Sequence, residues 1–167
     1  LHLSLRRQRQ MCIRDRYRRG VGMVVINDEK KIFIGQRLDK DQASWQMPQG
    51  GIDENESPEE TCIRELAEET GIVGNYKILD KTQKWYSYDL PKNLQKRLWR
   101  GKYKGQIQQW FIISFFGKDS EINIKTKHPE FKNWKWAYKE ELMGLIVPFK
   151  KELYENTFAE FDRFLKT

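Results

Sequence analysis

The chain has 167 residues, of which 38% are hydrophobic and 13% are aromatic, and it carries a formal net charge of +7 at pH 7. This length suits one domain with a proper hydrophobic core, and the aromatic content excludes a disordered chain. No apolar run in the sequence is long enough to cross a membrane as a helix. The moderate positive charge favours an anionic substrate and does not require a coat of nucleic acid.

The first sixteen residues differ in composition from the rest of the chain, because they hold five arginines and one aspartate. They lack the apolar centre and small-residue cleavage site of a secretory signal. We expect residues 1–16 to be disordered or foreign to the folded domain, which then spans residues 17–167; a basic arm that contacts RNA is the alternative. Cys12 and Cys62 have neither metal-ligand nor disulfide-framework spacing, which is typical of a reducing cytoplasm.

The first part of the domain predicts a pair of strands. Residues 21–26 and 31–37 are rich in apolar and β-branched side chains and are separated by a polar turn, so they predict a hairpin. Residues 38–44 then predict a polar loop. The paired glycines Gly50 and Gly51 follow, and glycine lets backbone groups come close to a ligand.

Residues 57–70 predict a helix with clear signals at both ends. Ser57 can cap the first turn, Pro58 suits the first helical position, and Gly71 accepts the left-handed conformation that ends a helix. Three-and-four spacing predicts one apolar stripe that packs on the core. The predicted stripe consists of Ile63, Leu66, Ala67 and Thr70.

The same helix carries three glutamates, Glu65, Glu68 and Glu69, which the spacing places on the side away from that stripe. Carboxylates crowded on a short arc repel each other, and a hard cation such as Mg²⁺ is the usual reason to collect them. A solvated acidic face is the alternative. The glycine-rich entry and Arg64 within the acidic cluster favour the cation site.

The second half of the chain predicts three more strands and a final helix. Residues 76–88 read mainly as strand, residues 106–116 form the clearest strand and should lie centrally in the sheet, and residues 134–138 add a short one. Residues 149–165 predict an amphipathic helix. Its core candidates are Leu153, Phe158, Phe161 and Leu165. This order of elements predicts a mixed sheet between helices.

Residues 89–105 are polar and strongly basic, with Trp99 and Tyr103 between the cations. They predict a loop. A solvated loop is one interpretation, and a surface for a phosphate chain or a base is the other, because aromatic rings interleaved with cations suit both ligands.

The glycine-rich entry and the helix together resemble the Nudix box, G-x5-E-x7-R-E-U-x-E-E-x-G-U, in which U is a bulky aliphatic residue. So many fixed positions at fixed spacing make the signal highly specific. Its positions are filled by Gly50, Glu56, Arg64, Glu65, Leu66, Glu68, Glu69, Gly71 and Ile72. The resemblance implies the α/β Nudix fold, an α/β/α sandwich around a mixed β-sheet. It also implies an enzyme that cleaves nucleoside diphosphates linked to another moiety.

Looser blocks outside the box resemble the bacterial RNA pyrophosphohydrolases, a subfamily also described as dinucleoside polyphosphate hydrolases. They read SWQMPQGGID, DLP, KGQIQQWF, EIN and PEFKNWKW, and together they span most of the domain. The resemblance implies metal-dependent removal of phosphates from the 5′ end of triphosphorylated or diphosphorylated RNA, which leaves a 5′-monophosphate and initiates RNA decay. One departure is Tyr17-Arg18-Arg19-Gly20, which stands where this subfamily has Y-R-P-N.

Two alternatives to RNA-end hydrolysis remain at this point. The first is hydrolysis of diadenosine polyphosphates by the same site. The second, of another class, is a non-catalytic Nudix-fold module that binds nucleotides or RNA, although such modules typically lose glutamates that are all present here. The resemblance further implies a cytoplasmic enzyme, and we expect a monomer.

The resemblance also implies roles for individual residues. Mg²⁺, or Mn²⁺ in its place, would be held by Glu65, Glu68 and Glu69 with the Gly50 carbonyl as a further ligand. Arg64 would orient a neighbouring glutamate, and Glu56 would anchor the loop.

The general base and the substrate contacts are less sharply defined. Candidates for the base are Glu65, Glu69 and Glu130, the last of which could instead be a surface carboxylate. Candidates for substrate binding are Arg18, Arg37, Phe149 and Lys150. For Arg37 a surface position, and for Phe149 a core position, are the alternatives.

Overall fold

The computed structural model describes residues 16–38 and 44–166. Nearly all of the predicted leader, and most of the loop predicted at residues 38–44, therefore lie outside the described residues. The strands are β1 (Tyr17–Ile26), β2 (Ile32–Arg37), β3 (Trp45–Gln46), β4 (Gln49–Gly51), β5 (Tyr76–Lys81), β6 (Tyr86–Asp89), β7 (Gly105–Phe115) and β8 (Phe131–Ala137). The helices are α1 (Pro58–Thr70), α2 (Lys92–Arg97), α3 (Lys139–Met143), α4 (Lys151–Glu160) and α5 (Asp162–Leu165).

The strands form one mixed sheet in the order β3-β2-β1-β7-β5, with β4 paired to β1, β6 to β7 and β8 to β2. β1 and β7 run parallel from Tyr17 opposite Gly105 to Ile26 opposite Ser114, and the other pairs are antiparallel. Because β7 pairs with β1, β5 and β6, the prediction that residues 106–116 are central is confirmed.

Helices cover both faces of the sheet. Side chains alternate along a strand, so β1 sends Val24 to one face and Val25 to the other. The first face packs against α4 through residues such as Leu153, and the second packs against α1 through Cys62 and Leu66. We call these the α4 face and the α1 face. The predicted α/β/α layering is confirmed, and so is the burial of all four core candidates in the last helical segment, Leu153, Phe158, Phe161 and Leu165.

The prediction of a β1–β2 hairpin is correct only near the turn that joins the two strands. Ile26 lies opposite Ile32, but the long partner of β1 is β7 rather than β2. The strand predicted at residues 76–88 is two strands, β5 and β6. The break comes at Thr82, whose N–H and hydroxyl oxygen both bond to the backbone of Trp110 on β7.

The prediction of a loop over residues 89–105 is wrong in part, because α2 forms within it and its ends belong to β6 and β7. α2 buries none of its residues, so it has no apolar stripe that a pattern could reveal. The short strand predicted at residues 134–138 is β8, which begins earlier, at Phe131. The helix predicted at residues 149–165 starts as a 3₁₀ turn, Pro148–Lys150, and is divided at Phe161 into α4 and α5.

Both predicted ends of α1 are confirmed. The Ser57 hydroxyl accepts a hydrogen bond from the Glu60 N–H at 3.1 Å, and Gly71 ends the helix with φ 75°. The predicted stripe is wrong at Ile63, which is 48% exposed. The packing face is rotated toward other residues, since the buried positions of α1 are Thr61, Cys62, Leu66, Glu69 and Thr70. One of the glutamates therefore lies inside the protein.

The loop before α1 is tied to the helix by Glu56 and Arg64. Two Arg64 nitrogens donate to the two Glu56 oxygens at 2.8 and 2.9 Å, and Arg64 Nη2 also donates to the Gly51 carbonyl at 2.9 Å. Glu56 accepts further hydrogen bonds from the Thr61 hydroxyl and the Asp53 N–H. The bonds from Arg64, with the others, lower the pKa of Glu56 to about 2. This carboxylate therefore stabilises the fold in its charged form.

In the described ranges, no helix is both long and apolar enough to cross a membrane.

Glu56→Gln should lower the free energy of unfolding by about 1–3 kcal/mol at neutral pH, because it weakens hydrogen bonds made to a charged group. The pKa of Glu56 is lower in the folded state, so its stabilisation is complete above pH 4.5 and is lost as the pH falls toward 2. The difference between the two proteins in urea unfolding should shrink over that range.

Glu54→Gln, in the same loop and exposed, is the matched control and should unfold like the unmodified protein. Equal stability of the Glu56 and Glu54 variants at neutral pH would contradict the anchoring role.

Candidate active site at the β4–α1 junction

Two glutamates of α1 face the glycines of β4. Glu69 is 5% exposed, and its Oε2 accepts a hydrogen bond from the Gln49 N–H at 2.9 Å. The Glu65 carboxyl lies so close to Gly50 that a Cβ added there would stand 2.0 Å from Glu65 Cδ. Gly50 is therefore needed for the close approach of this carboxylate to the backbone.

The surroundings of this pair disfavour its charged form. Burial first, and then the charges of Glu65 and Glu130, raise the pKa of Glu69 well above its usual value, although the Gln49 N–H and Lys150 oppose the shift. Burial also raises the pKa of Glu65 to about 7, against the effect of Arg64 and with that of Glu68 and Glu130. The charged form of both carboxyls is therefore disfavoured in the absence of a ligand, and a positive charge bound beside them would favour it.

Glu130 belongs to this cluster although it is distant in sequence. Its side chain is exposed, its backbone carbonyl accepts from the Leu38 N–H at 3.1 Å, and its charge acts on both Glu65 and Glu69. The structure thus brings together the three carboxylates that the sequence suggested as general bases.

Glu68 is placed differently. It is half exposed, and its Oε2 accepts from Arg64 Nη1 at 3.1 Å, while the same nitrogen donates to Glu65 Oε1 at 2.8 Å. As the side chains lie, no three His, Cys, Asp or Glu residues of the described segments are grouped closely enough to hold a metal ion. Glu65 and Glu68 each use one carboxylate oxygen for Arg64, which leaves the other oxygen of each to bind a cation.

The donor set nevertheless fits a hard divalent cation. Glu65 and Glu69 supply carboxylate oxygens beside the backbone of Gly50, and such cations take carboxylate and carbonyl oxygens as ligands. Burial raises the pKa of both carboxyls, which disfavours their charged form. A bound cation would favour that charged form.

Lys150 and Phe149 lie beside the carboxylates on the α4 face, in the 3₁₀ turn before α4. Lys150 is buried, and its Nζ donates to Gln46 Oε1 at 3.0 Å and lies 5.5 Å from the centre of the Tyr88 ring. Phe149 is half-buried and stacks on Tyr88, with ring centres 5.9 Å apart. An aromatic surface and a cation therefore meet next to Glu69.

The two predicted arginines flank the same region. The Arg18 guanidinium packs against Gly51 and lies 5.2 Å from the centre of the Trp99 ring. Burial raises the pKa of Tyr88, and the charges of Arg37 and Arg18 act against that rise. The structure thus places Arg18, Arg37, Phe149 and Lys150 around one tyrosine.

Sequence reasoning missed Tyr88 and a group of glutamines in the floor of the cleft. Gln108 Nε2 donates to Gln106 Oε1 at 3.0 Å and to Gln49 Oε1 at 3.3 Å. Gln108 Oε1 is buried and has no hydrogen-bond partner among the residues that the structure describes. A signal was available, because Gln106 and Gln108 interrupt the most apolar strand of the chain on its α4 face.

A pocket of about 550 Å³ opens beside Phe149. Its lining is mainly apolar and consists of Ser44, Pro91, Leu145, Ile146, Val147, Pro148 and Phe149. The cleft therefore continues past the stacked rings into a space with apolar walls.

Curated proteins similar to this chain share nearly half of its residues. The RNA pyrophosphohydrolase of Rickettsia canadensis (strain McKiel) is 46% identical over 150 residues, which cover 90% of this chain and 92% of that protein. The RNA pyrophosphohydrolase of Dinoroseobacter shibae is 45% identical over 150 residues, which cover 89% and 94%.

Solved structures with the same fold are more distant in sequence. The E. coli dihydroneopterin triphosphate pyrophosphohydrolase matches with a TM-score of 0.64 and 20% identity, over 84% of this chain and 96% of that one. A C. elegans Ap4A hydrolase binary complex matches with a TM-score of 0.64 and 19% identity, over 89% and 97%. The family model described as NUDIX domain matches residues 16–157. The chain therefore belongs to the NUDIX domain family.

Proposed function

We propose that this protein is a metal-dependent pyrophosphohydrolase that acts on the 5′ end of triphosphorylated RNA and leaves a 5′-monophosphate, a step that initiates RNA decay. The observation that carries the proposal is the pair of carboxyls of Glu65 and Glu69 beside Gly50, of which Glu69 is buried and both have a raised pKa. The relatives named RNA pyrophosphohydrolase, at 45–46% identity, support the choice of substrate. We place this activity in the cytoplasm, in keeping with the free buried thiol of Cys62.

The ligands we assign to Mg²⁺, or to Mn²⁺ in its place, are the Gly50 carbonyl, Glu65, Glu68 and Glu69. A divalent cation bound there would neutralise phosphate oxygens and lower the pKa of a coordinated water. Arg64 is a positioning residue, since it bonds Glu56, Glu65 and Glu68 and fixes how α1 presents its carboxylates.

In the reaction, the oxygen of a water molecule forms a bond to phosphorus while the anhydride P–O bond breaks and the leaving phosphate takes the bonding electrons. A carboxylate of the cluster accepts the proton of that water, and Glu65, Glu69 and Glu130 remain the candidates. Lys150, Arg37 and Arg18 bind the phosphate chain, and Phe149 stacks on a base.

Diadenosine polyphosphates are a second candidate substrate. The pocket beside Phe149 and the stacked Tyr88 ring offer room and an apolar surface for a second base. The same carboxylate cluster would hydrolyse the anhydride, so the two substrates differ only in how the cleft holds them. A non-catalytic binding module is the less favoured alternative, because every box glutamate is retained.

The direct test compares two substrates with Mg²⁺: a short 5′-triphosphate RNA with an unpaired end, and diadenosine tetraphosphate. We expect faster conversion of the RNA to its monophosphate, and Glu69→Gln should lower kcat at least about 1,000-fold, since it removes a ligand or base. Circular dichroism should show that the variant is folded.

Faster cleavage of the dinucleotide would favour the second candidate substrate. A Glu69→Gln enzyme with near-normal rate would contradict the site, and no turnover of either substrate would favour the binding module.

Lys150→Met tests the phosphate contact. The variant keeps the apolar stem of a buried side chain and loses its charge, so we expect kcat/KM to fall about 10- to 100-fold, the worth of one charged hydrogen bond. Lys151→Met, at an exposed neighbouring position, is the matched control. If both variants act at the same rate as the unmodified enzyme, Lys150 does not contact the substrate.

A further inference from the structure

A second cationic surface adjoins the site on the α4 face. We call it the basic platform and define it as Arg18, Trp99, Arg100, Lys102 and Tyr103. Residues 90–104, which supply most of it, hold six lysines and arginines and no aspartate or glutamate. Such a run is commonly only a solvated loop, so its local contacts decide whether it can be a binding surface.

Most of these charges lack acidic partners in the structure. Over the described ranges, the one ion pair made by residues 90–104 joins Lys104 to Asp89 at 3.2 Å. Arg100 and Lys102 are exposed and form no such pair with any described residue. The platform therefore presents positive charge to solvent, which attracts a polyanion.

The aromatic rings of the platform are held in place rather than loosely solvated. Trp99 packs at the edge of the core on the α4 face and meets Tyr103 edge to face, with ring centres 6.0 Å apart. The Arg18 guanidinium lies 5.2 Å from the Trp99 ring centre, and Lys102 Nζ lies 5.2 Å from that of Tyr103. Cations and ring faces thus alternate, as in surfaces that bind single-stranded nucleic acid.

The platform is continuous with the carboxylate site through Arg18. Arg18 lies opposite Gln106 in the β1–β7 register, and its guanidinium packs against Gly51, the neighbour of Gly50. An RNA whose 5′ phosphates lie at Glu65 and Glu69 can therefore extend across Arg18 toward Trp99.

We propose that the basic platform binds the single-stranded RNA downstream of its 5′ end, through phosphate contacts at Arg100 and Lys102 and base stacking near Trp99. This inference rests on the proposed function for the position of the 5′ end. Binding of this kind is largely independent of base sequence, grows with RNA length and weakens with salt. A dinucleoside polyphosphate has no downstream nucleotides that could contact Arg100 and Lys102 in this way.

The test measures binding by fluorescence anisotropy with 3′-labelled, 5′-monophosphate RNA, either a dinucleotide or a single strand of about twelve nucleotides. We expect the longer RNA to bind the unmodified protein at least about tenfold more tightly. The double variant Arg100→Gln/Lys102→Gln should lose most of that gain. Its slope of log affinity against log salt should fall by about 1.4, because two phosphate contacts are removed.

The matched control is Lys77→Gln/Lys118→Gln, which removes the same charge far from the platform. Lys77 lies opposite Ser114 at the other end of β7 from Gly105, and Lys118 follows that end. This control variant should keep the full gain in affinity for the longer RNA. Trp99→Leu, checked for an unchanged melting temperature, should lose part of the gain at all salt concentrations, since stacking is not screened as charge is.

The proposal would be overturned if the unmodified protein bound the longer RNA no more tightly than the dinucleotide. It would also be overturned if both double variants lost the same share of the gain in affinity. This readout does not depend on turnover. Platform-dependent binding without conversion of triphosphate RNA would support the basic platform and contradict the proposed function. Conversion of triphosphate RNA without platform-dependent binding would support the proposed function and contradict the basic platform.

Discussion

The burial of Glu69 between α1 and β4 is the constraint on which the site depends. A carboxylate that is 5% exposed loses most of its hydration, and here the charge of Glu65 adds to the cost while that of Lys150 opposes it. The fold tolerates this because the Gln49 N–H donates to Glu69 and because the rest of α1 packs well through Cys62 and Leu66. A site in which burial disfavours the carboxylate form is suited to a ligand that brings positive charge with it.

Much of the surrounding structure keeps these carboxylates in place. Arg64 bridges Glu56 in the loop to Glu65 on the helix and so ties the loop to α1. Gly50 provides the space that the Glu65 carboxyl occupies, and any side chain there would collide with it. On the α4 face, Lys150 and Tyr88 form the wall of the cleft. The two faces of the sheet thus differ: the α1 face supports the acidic helix, and the α4 face carries the cation of Lys150 and the stacked rings of Tyr88 and Phe149.

The layered architecture, the central strand and the caps of α1 could all be predicted from the sequence. The periodicity of apolar residues and the residue types that cap helices are local signals, so they can be read without tertiary contacts. The burial of Ile63 was predicted wrongly from the sequence. Helical spacing placed this residue in the core, but it is exposed in the structure. Periodicity assumes that buried positions are apolar, and here Glu69 occupies one of them. The helix α2 was not predicted for a related reason. It buries none of its residues, so the sequence has no apolar stripe that would indicate it. The approach of Glu130 to Glu69 depends on tertiary contact between distant segments, and the residues alone cannot reveal such a contact except through resemblance.

Thermal unfolding with and without Mg²⁺, on the unmodified protein and Glu69→Gln, tests the central claim most directly. The pKa of Glu69 is higher in the folded state, so without a cation this group stabilises the fold below pH 4.5 and costs stability as the pH rises through its folded pKa. Near pH 8 and without Mg²⁺, the variant should melt at or above the temperature of the unmodified protein. Mg²⁺ should then raise the melting temperature of the unmodified protein and leave that of the variant nearly unchanged. Equal shifts with Mg²⁺ in both proteins, or a variant less stable without the cation, would contradict the account.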